Sequence, residues 1–204
     1  MHLSHGFSPL GAPHAVTIGN FDGLHRGHQA MLARLKEVAA ARGLPSCVLS
    51  FEPHPREFFA PDVAPARLSS LREKAELLAE WGVDRFHVFR FTREFAALAP
   101  EDFIRRVLAD TLGARYVLVG DDFRYGQKRA GDFALLSALG RRHGYDAEHL
   151  PTVEVSGERA SSTAVRTALA AGDLGRAGTL LGRPYSISGR VVDGDKLGRQ
   201  IGFP

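Results

Sequence analysis

Short apolar runs alternate with longer amphipathic stretches along most of this chain, and that alternation predicts its fold. Largely apolar runs, typical of buried strands, occur at residues 14–19, 45–51, 85–91, 116–120 and around 148–155. Stretches whose apolar residues recur with a period of about 3.6, typical of helices, occur at residues 27–42, 71–81, 100–112, 133–143, 164–171 and 174–181. Strands that alternate with helices pair in parallel through helical crossovers. We therefore expect an α/β fold built on a doubly wound parallel sheet.

The first strand and the first helix are joined by the most unusual stretch of the chain, GNFDGLHRGH at residues 19–28. Glycine, asparagine and aspartate in its first half are typical of a turn. If the helix starts near Leu24, His25 and His28 lie three residues apart on one face of its first turn. Free N–H groups and the positive end of the helix dipole favour a phosphate there, and Gly27 places no side chain in its way. An ordinary turn with two solvated histidines is the simpler alternative.

Three further segments carry candidate chemistry. Residues 51–70 form a proline-rich segment, and residues 120–132 form a glycine-rich, charged one. Each follows the end of a predicted strand, where open α/β sheets bind ligands, although a plain connecting loop is the alternative for both. In ASSTAVR at 160–166, hydroxyl side chains can cap a helix while Arg166 lies one turn further on. Hydroxyls and a guanidinium at a helix start predict a second phosphate clamp.

The C-terminal residues have a different pattern. A Gly-Arg-Pro sequence at 182–184 predicts a boundary, so residues 1–182 are expected to form one domain and residues 183–204 the start of another. Alternating residues at 185–192 predict a strand, and residues 193–198 predict a turn before a second strand.

Composition limits the possible partners without selecting one. A formal net charge of +3 and a pI of about 9.3 suit an anionic substrate, and could suit RNA, but no block of like charges stands out. The sequence shows neither a signal peptide nor an apolar run long enough for a membrane span, and its single cysteine, Cys47, falls in a predicted buried strand. We therefore expect a cytoplasmic protein with no membrane partner. His2, His5 and His14 are expected to be solvated.

Several of these motifs resemble one family. GNFDGLHRGH closely resembles the signature of the adenylyltransferase module of bacterial bifunctional riboflavin kinase/FAD synthetases. ASSTAVR resembles the ISSTxxR motif of nucleotidyltransferases, with Ala160 in place of the usual β-branched residue and Ala164 in place of a common arginine. GDDFRYG at 120–126 resembles the family's GxDFRFG loop. The resemblance implies a Rossmann-like nucleotidyltransferase of the HxGH type.

The last residues resemble the opening of the riboflavin kinase β-barrel. In that family the sequence continues past Gly-Phe-Pro into a threonine-containing nucleotide motif and an acidic catalytic residue, which these 204 residues do not contain. We therefore expect the first strands of an incomplete barrel, in a truncated bifunctional enzyme or a fragment of one. Riboflavin kinase activity is expected only in an untruncated chain.

The resemblance implies that the enzyme transfers AMP from ATP to FMN, giving FAD and pyrophosphate. The implied catalytic residues are His25, His28, Arg166 and Asn20. The implied ATP-binding residues are Gly19, Phe21, Gly27, Ser162 and Thr163. The implied flavin-binding residues are Asp122, Arg159 and Phe59. Mg²⁺ is expected to be held by phosphates and water, with no protein ligand identified.

Two other hypotheses remain open. One is an adenylyl- or cytidylyltransferase of the same superfamily that acts on a different phosphate. The other is a flavin- or RNA-binding module without catalysis. The sequence has no interleaved aromatic and basic platform for RNA, so we expect small-molecule partners, ATP and FMN, and no nucleic acid. Nothing in the sequence indicates an oligomeric state.

Overall fold

The computed structural model describes residues 1–192 and 194–203, and its centre is a parallel sheet. In the described part of the chain this sheet has six strands in the order β1-β4-β3-β2-β5-β6, all neighbours being parallel. The strands are β1 (His2–His5), β2 (His14–Ile18), β3 (Ser46–Glu52), β4 (Arg85–Arg90), β5 (Ala114–Gly120) and β6 (Asp146–Leu150). A separate antiparallel pair consists of β7 (Glu154–Val155) and β8 (Glu158–Arg159).

The longer helices lie close to the positions that the periodicity predicts. The helices are α1 (Arg26–Arg42), α2 (Pro55–Phe59), α3 (Leu71–Glu80), α4 (Arg93–Ala96), α5 (Pro100–Asp102), α6 (Phe133–His143), α7 (Ser162–Ala170), α8 (Leu174–Leu181) and α9 (Leu197–Gln200). The short helices α2, α4 and α9 were not predicted. A π-helix (Phe103–Thr111) continues directly from α5. Short 3-10 turns occur at Pro61–Val63 and Gln127–Arg129. None of the helices in the described residues is long and apolar enough to cross a membrane.

Alternating strand residues fill two apolar layers, one on each face of the sheet. On one face, Val16 and Ile18 of β2 pack with residues of the π-helix and α6, such as Ile104 and Leu136. On the other face, strand residues pack against α1 and α3. Burial of both faces explains why these strands are apolar runs and confirms the doubly wound α/β fold.

The order in which successive strands are added to the sheet changes direction at the central strand β2. From β2 the chain proceeds to β3 and β4 on one side, and later to β5 and β6 on the other. In open α/β sheets a crevice forms at such a switch point, beyond the carboxyl ends of the strands. GNFDGLHRGH follows β2 and GDDFRYG follows β5, so the topology brings these two motifs to the same crevice.

Two predicted features near the strands need correction. The strand expected around 148–155 ends at Leu150, because Pro151 has no N–H to donate to a ladder, and the next two-residue strand pairs with β8 instead. His14 is buried rather than solvated, and its Nδ1 donates to the carbonyl oxygen of Leu112 at 2.9 Å. The edge strand β1, which pairs with β4, was not predicted.

The C-terminal segment also differs from the prediction. Residues 185–192 are irregular and not a strand, and the short helix α9 occupies part of the predicted turn and second strand. Asp193, at the start of that turn, and Pro204 lie outside the described residues. A strand forms only where a neighbour accepts its backbone hydrogen bonds, and here the Ser188 N–H donates to the Glu73 carboxylate at 2.6 Å. The alternating pattern at 185–192 alone is therefore not enough to form a strand.

Two helical glycines provide a test of this packing. A Cβ added at Gly140 in α6 would lie 2.7 Å from the ring and the carbonyl oxygen of Tyr145, whereas one added at Gly178 in α8 meets its nearest atom at 3.6 Å. We expect Gly140→Ala to lower the free energy of unfolding by about 1–3 kcal/mol through overpacking. Gly178→Ala should raise it by about 0.5–1 kcal/mol, because alanine loses less entropy in a helix. Urea denaturation measures both, and a stabilising Gly140→Ala would contradict the packing.

Candidate active site

Two stacked histidines lie where β2 gives way to α1. Helix α1 begins at Arg26, between the conditional start near Leu24 and the periodic stretch from residue 27, and His25 is its N-cap residue. The rings of His25 and His28 nevertheless stack, with centroids 3.7 Å apart and planes inclined by 24°. Both side chains therefore lie at the N-terminus of a 17-residue helix, the positive end of its dipole.

Burial keeps both imidazoles neutral. It lowers the pKa of His25 to about 4, with the nearby Asp22 charge opposing the shift, and lowers the pKa of His28 well below its ordinary value. The Nδ1 atoms of both histidines and Oδ1 of Asn20 are buried without a hydrogen-bond partner among the described residues. Buried polar atoms in proteins are nearly always paired. Three such atoms on residues that line one cleft indicate a place for a polar ligand.

Close packing fixes the histidine rings. Phe21 is fully buried, adopts a left-handed φ of 48°, and places its ring 4.9 Å from that of His28. A Cβ added at Gly19 would lie 3.0 Å from the Phe21 ring, and one added at Gly27 would lie 3.1 Å from Cε1 of His25 and 3.2 Å from the Ala160 carbonyl oxygen. The structure thus shows that Gly27 makes room for the His25 ring. Its expected role in phosphate approach remains a prediction.

Asp22 is a central residue that the sequence analysis did not select. Its buried carboxylate accepts hydrogen bonds from the N–H groups of Leu68 and Ser69, each at 3.0 Å, and from the Ser69 hydroxyl at 3.2 Å. It also forms an ion pair with Arg166. The signal was present in the sequence, because an acid lay inside the most distinctive turn of the chain. Turn chemistry alone does not predict the contacts of this acid.

The second predicted phosphate clamp lies against the first. Ser161 is the N-cap of α7 and accepts a hydrogen bond from the Ala164 N–H at 3.1 Å. The Ser162 hydroxyl donates to the Asp22 carbonyl oxygen at 2.9 Å. Arg166 donates from Nε to the Ala66 carbonyl oxygen at 2.6 Å, in addition to its ion pair with Asp22. The N-termini of α1 and α7 are therefore linked through Asp22.

These elements line one large cleft beyond the carboxyl ends of β2, β3 and β5. Its volume is about 1090 Å³, and all the predicted site residues line it: Gly19, Asn20, Phe21, His25, Gly27, His28, Phe59, Asp122, Arg159, Ser162, Thr163 and Arg166. A cleft of this size accommodates a ligand larger than one nucleotide. The structure brings the predicted residues together, while their individual roles stay predictions.

The flavin candidates line the same cleft as the histidines, and the Arg159 charge contributes to the lowered pKa of His25. Phe59 is 67% exposed and makes edge contacts with the rings of Phe58 and Phe91. Arg159 forms an ion pair with Asp122 at 2.7 Å. One part of the wall therefore presents an exposed aromatic ring, and another presents paired charges.

Comparison with known proteins shows the family to which the chain belongs. The sequence model described as FAD synthetase matches residues 9–164. The chain belongs to the FAD synthetase family. The model described as riboflavin kinase matches residues 181–204. This confirms the resemblance that the motifs suggested.

Relatives of this FAD synthetase family member share about half of its residues. The bifunctional riboflavin kinase/FMN adenylyltransferase of Pseudomonas fluorescens is 50% identical over 207 residues, covering 100% of this chain and 66% of the relative. The protein of the same name from Escherichia coli K12 is 54% identical, covering 93% of this chain and 60% of the relative. This chain thus spans less than two thirds of the length of either relative. A crystal structure described as a macrolide-efflux protein from Streptococcus pneumoniae matches with a TM-score of 0.79 and 25% identity, covering 99% of this chain and 67% of that one.

The buried histidines predict how stability depends on pH. The folded pKa of His25 is about 4, against 6.5 for an ordinary histidine. Between these values the unfolded chain binds a proton that the folded chain does not, so the free energy of unfolding falls as the pH falls through this window. His28 acts in the same direction.

Urea denaturation between pH 7 and pH 5 tests this dependence. We expect a shallower fall for His28→Gln than for the unmodified chain, because one buried site that resists protonation is gone. His2→Gln, which alters an exposed histidine, is the control and should retain the full slope. If the free energy of unfolding of His28→Gln fell with pH as steeply as that of the unmodified chain, the buried neutral state of His28 would be contradicted.

Proposed function

We propose that this chain is an FMN adenylyltransferase, which transfers AMP from ATP to FMN and releases pyrophosphate. The observation that carries the proposal is a set of three buried polar atoms in the cleft, on Asn20, His25 and His28, for which the described part of the chain offers no hydrogen-bond partner. Membership of the FAD synthetase family and the names of the relatives support the same substrates.

The reaction requires little acid–base chemistry. A phosphate oxygen of FMN attacks the α-phosphorus of ATP and forms a new P–O bond. The bond from that phosphorus to the oxygen bridging the α- and β-phosphates breaks, and its electron pair leaves with pyrophosphate. FMN phosphate is already anionic, so the site must bring two polyanions together and stabilise the charge that develops.

We assign the ATP phosphates to the two helix starts. Neutral His25 and His28 offer hydrogen bonds to phosphate oxygens without a prior cost of burying charge. Arg166 supplies a permanent positive charge for the leaving β- and γ-phosphates, aided by the hydroxyls of Ser162 and Thr163. Asn20 donates to a phosphate oxygen at the turn from its side-chain amide N–H groups, since its Oδ1 can only accept. We propose that Gly19, Phe21 and Gly27 contribute by shaping this turn.

The flavin is assigned to the wall that carries Phe59, Asp122 and Arg159. The exposed Phe59 ring offers a flat apolar surface to an isoalloxazine ring. The Asp122–Arg159 pair, elsewhere in the same cleft, offers a carboxylate and a guanidinium to polar groups of FMN. An acceptor that carries both a flat ring and a phosphate fits a cleft that offers both an exposed aromatic ring and a phosphate site.

Mg²⁺ enters this proposal as part of the ATP complex. The described residues include no group of three or more His, Cys, Asp or Glu side chains arranged to hold a metal ion. Mg²⁺ often keeps several waters and binds mainly to substrate phosphates, so such a group is not required. We propose that phosphate oxygens and water hold the ion.

The domain boundary at residue 182 and the cytoplasmic location remain predictions. Separate family matches to residues 9–164 and 181–204 support the boundary. The names of the longer relatives include riboflavin kinase, and whether this chain shares that activity is part of the test below.

The proposed function is tested by incubating the chain with ATP and Mg²⁺ and separating the flavins by chromatography. We expect FAD from FMN and none directly from riboflavin, because riboflavin lacks the phosphate whose oxygen attacks. FMN formed from riboflavin would reveal kinase activity. Absence of FAD, together with turnover of another phosphate acceptor, would favour the related transferase hypothesis. Salt-sensitive RNA binding without turnover would favour the binding module.

Substitution of His28 tests the assigned phosphate site. We expect His28→Ala to lower kcat/KM for FAD formation by about 100-fold or more, because the transition state loses a preorganised contact. His2→Ala, on the exposed edge strand β1, is the matched control. Circular dichroism should show that both variants fold. A folded His28→Ala variant with nearly unchanged kcat/KM would refute the role.

A further inference from the structure

The backbone just before His25 is held in an unfavourable conformation. Gly23 and Leu24 both have left-handed φ values, 78° and 44° respectively. Leucine rarely adopts this conformation, and such residues persist only where surrounding contacts enforce it. The position of the His25 ring depends on this turn, because Leu24 immediately precedes it.

The Gly23 N–H donates to the Ser69 hydroxyl at 3.0 Å, and further contacts connect this turn to the C-terminal end of α8. Arg183 donates from Nη2 to the Gly23 carbonyl oxygen at 2.9 Å and from Nη1 to the Leu24 carbonyl oxygen at 3.3 Å. Buried Gln29 donates from Nε2 to the carbonyl oxygens of Leu24, at 2.9 Å, and Leu181, at 2.6 Å. Two side chains thus tie the turn to a segment about 160 residues away in sequence.

The local sequence after α8 delivers Arg183 to this place. Gly182 ends the helix with a left-handed φ of 69°, and its N–H donates to the Gly178 carbonyl oxygen at 2.7 Å. The Arg26 side chain packs so closely that a Cβ on Gly182 would overlap its guanidinium group. Glycine is therefore required for the chain to reverse here and place the next residue behind the turn.

We propose that Arg183 is a positioning residue for adenylyl transfer, acting through the Gly23–Leu24 backbone on His25. The inference rests on the proposed function. Arg183 lines a separate small cavity of about 100 Å³ behind the turn, whereas His25 lines the large cleft. It also lies within the match to riboflavin kinase, residues 181–204. In this proposal, a residue from the segment that matches riboflavin kinase helps to position the site of the segment that matches FAD synthetase.

The kinetic test compares Arg183→Ala with Arg183→Lys in the 204-residue chain. We expect Arg183→Ala to lower kcat for FAD formation about 10- to 100-fold, since a small misplacement of a catalytic group is costly, while KM for ATP and FMN changes less than about threefold. Arg183→Lys retains a cation and should recover part of kcat. Arg190→Ala, an exposed arginine beyond the turn, is the matched control. Unchanged kcat in folded Arg183→Ala would overturn the proposal.

A spectroscopic test is independent of turnover. In protein with ¹³C-labelled histidine and no ligand, the imidazole signals of His25 should shift in Arg183→Ala, while those of His87 in β4 should not. Added guanidinium at low millimolar concentration should move the His25 signals and kcat back towards those of the unmodified chain. If the unmodified chain makes no FAD, the proposed function fails. The His25 signals still show whether Arg183 controls the position of the His25 ring. Unshifted His25 signals in folded Arg183→Ala would overturn the proposal.

Discussion

The site depends on one buried carboxylate, that of Asp22. It lies in the turn after the central strand, accepts hydrogen bonds from Leu68 and Ser69, and forms an ion pair with Arg166. Three parts of the chain that are distant in sequence therefore meet at a single anion. Removing one partner of a buried ion pair typically costs about 3–5 kcal/mol, because the other charge stays buried. Asp22 thus orients the guanidinium while joining the two helix starts.

Hydrogen bonding and positive charge come from different groups in this cleft. The two histidines are buried and neutral, so they contribute directed hydrogen bonds rather than charge. Fixed positive character comes instead from Arg166 and from the helix N-termini, whose partial charges do not titrate. This arrangement suits a substrate with several negative charges, because the hydrogen-bond donors and the positive charge of Arg166 are already in place when the phosphates bind.

The sequence predicts local elements well where one physical rule dominates. Helix α6 has the predicted bounds because Asp132 caps its start and Gly144 ends it. The cleft residues were predictable because the ends of parallel strands meet at one edge of the sheet. In contrast, the hydrogen bonds of Asp22 and Arg183 join positions 46 to 160 residues apart in sequence, and no local pattern encodes such partners. The strand expected at 185–192 was mispredicted for the same reason, since alternation does not reveal whether a pairing neighbour exists.

The central claim is that this cleft transfers an adenylyl group to FMN, and the fate of labelled phosphorus tests it most directly. The chain should be incubated with FMN, Mg²⁺ and ATP labelled with ³²P at either the α- or the γ-position. We predict that α-label appears in FAD and that γ-label appears only in pyrophosphate, because the bond between the α-phosphorus and the bridging oxygen breaks. γ-Label in a flavin product, or no transfer of α-label to the flavin, would contradict the account.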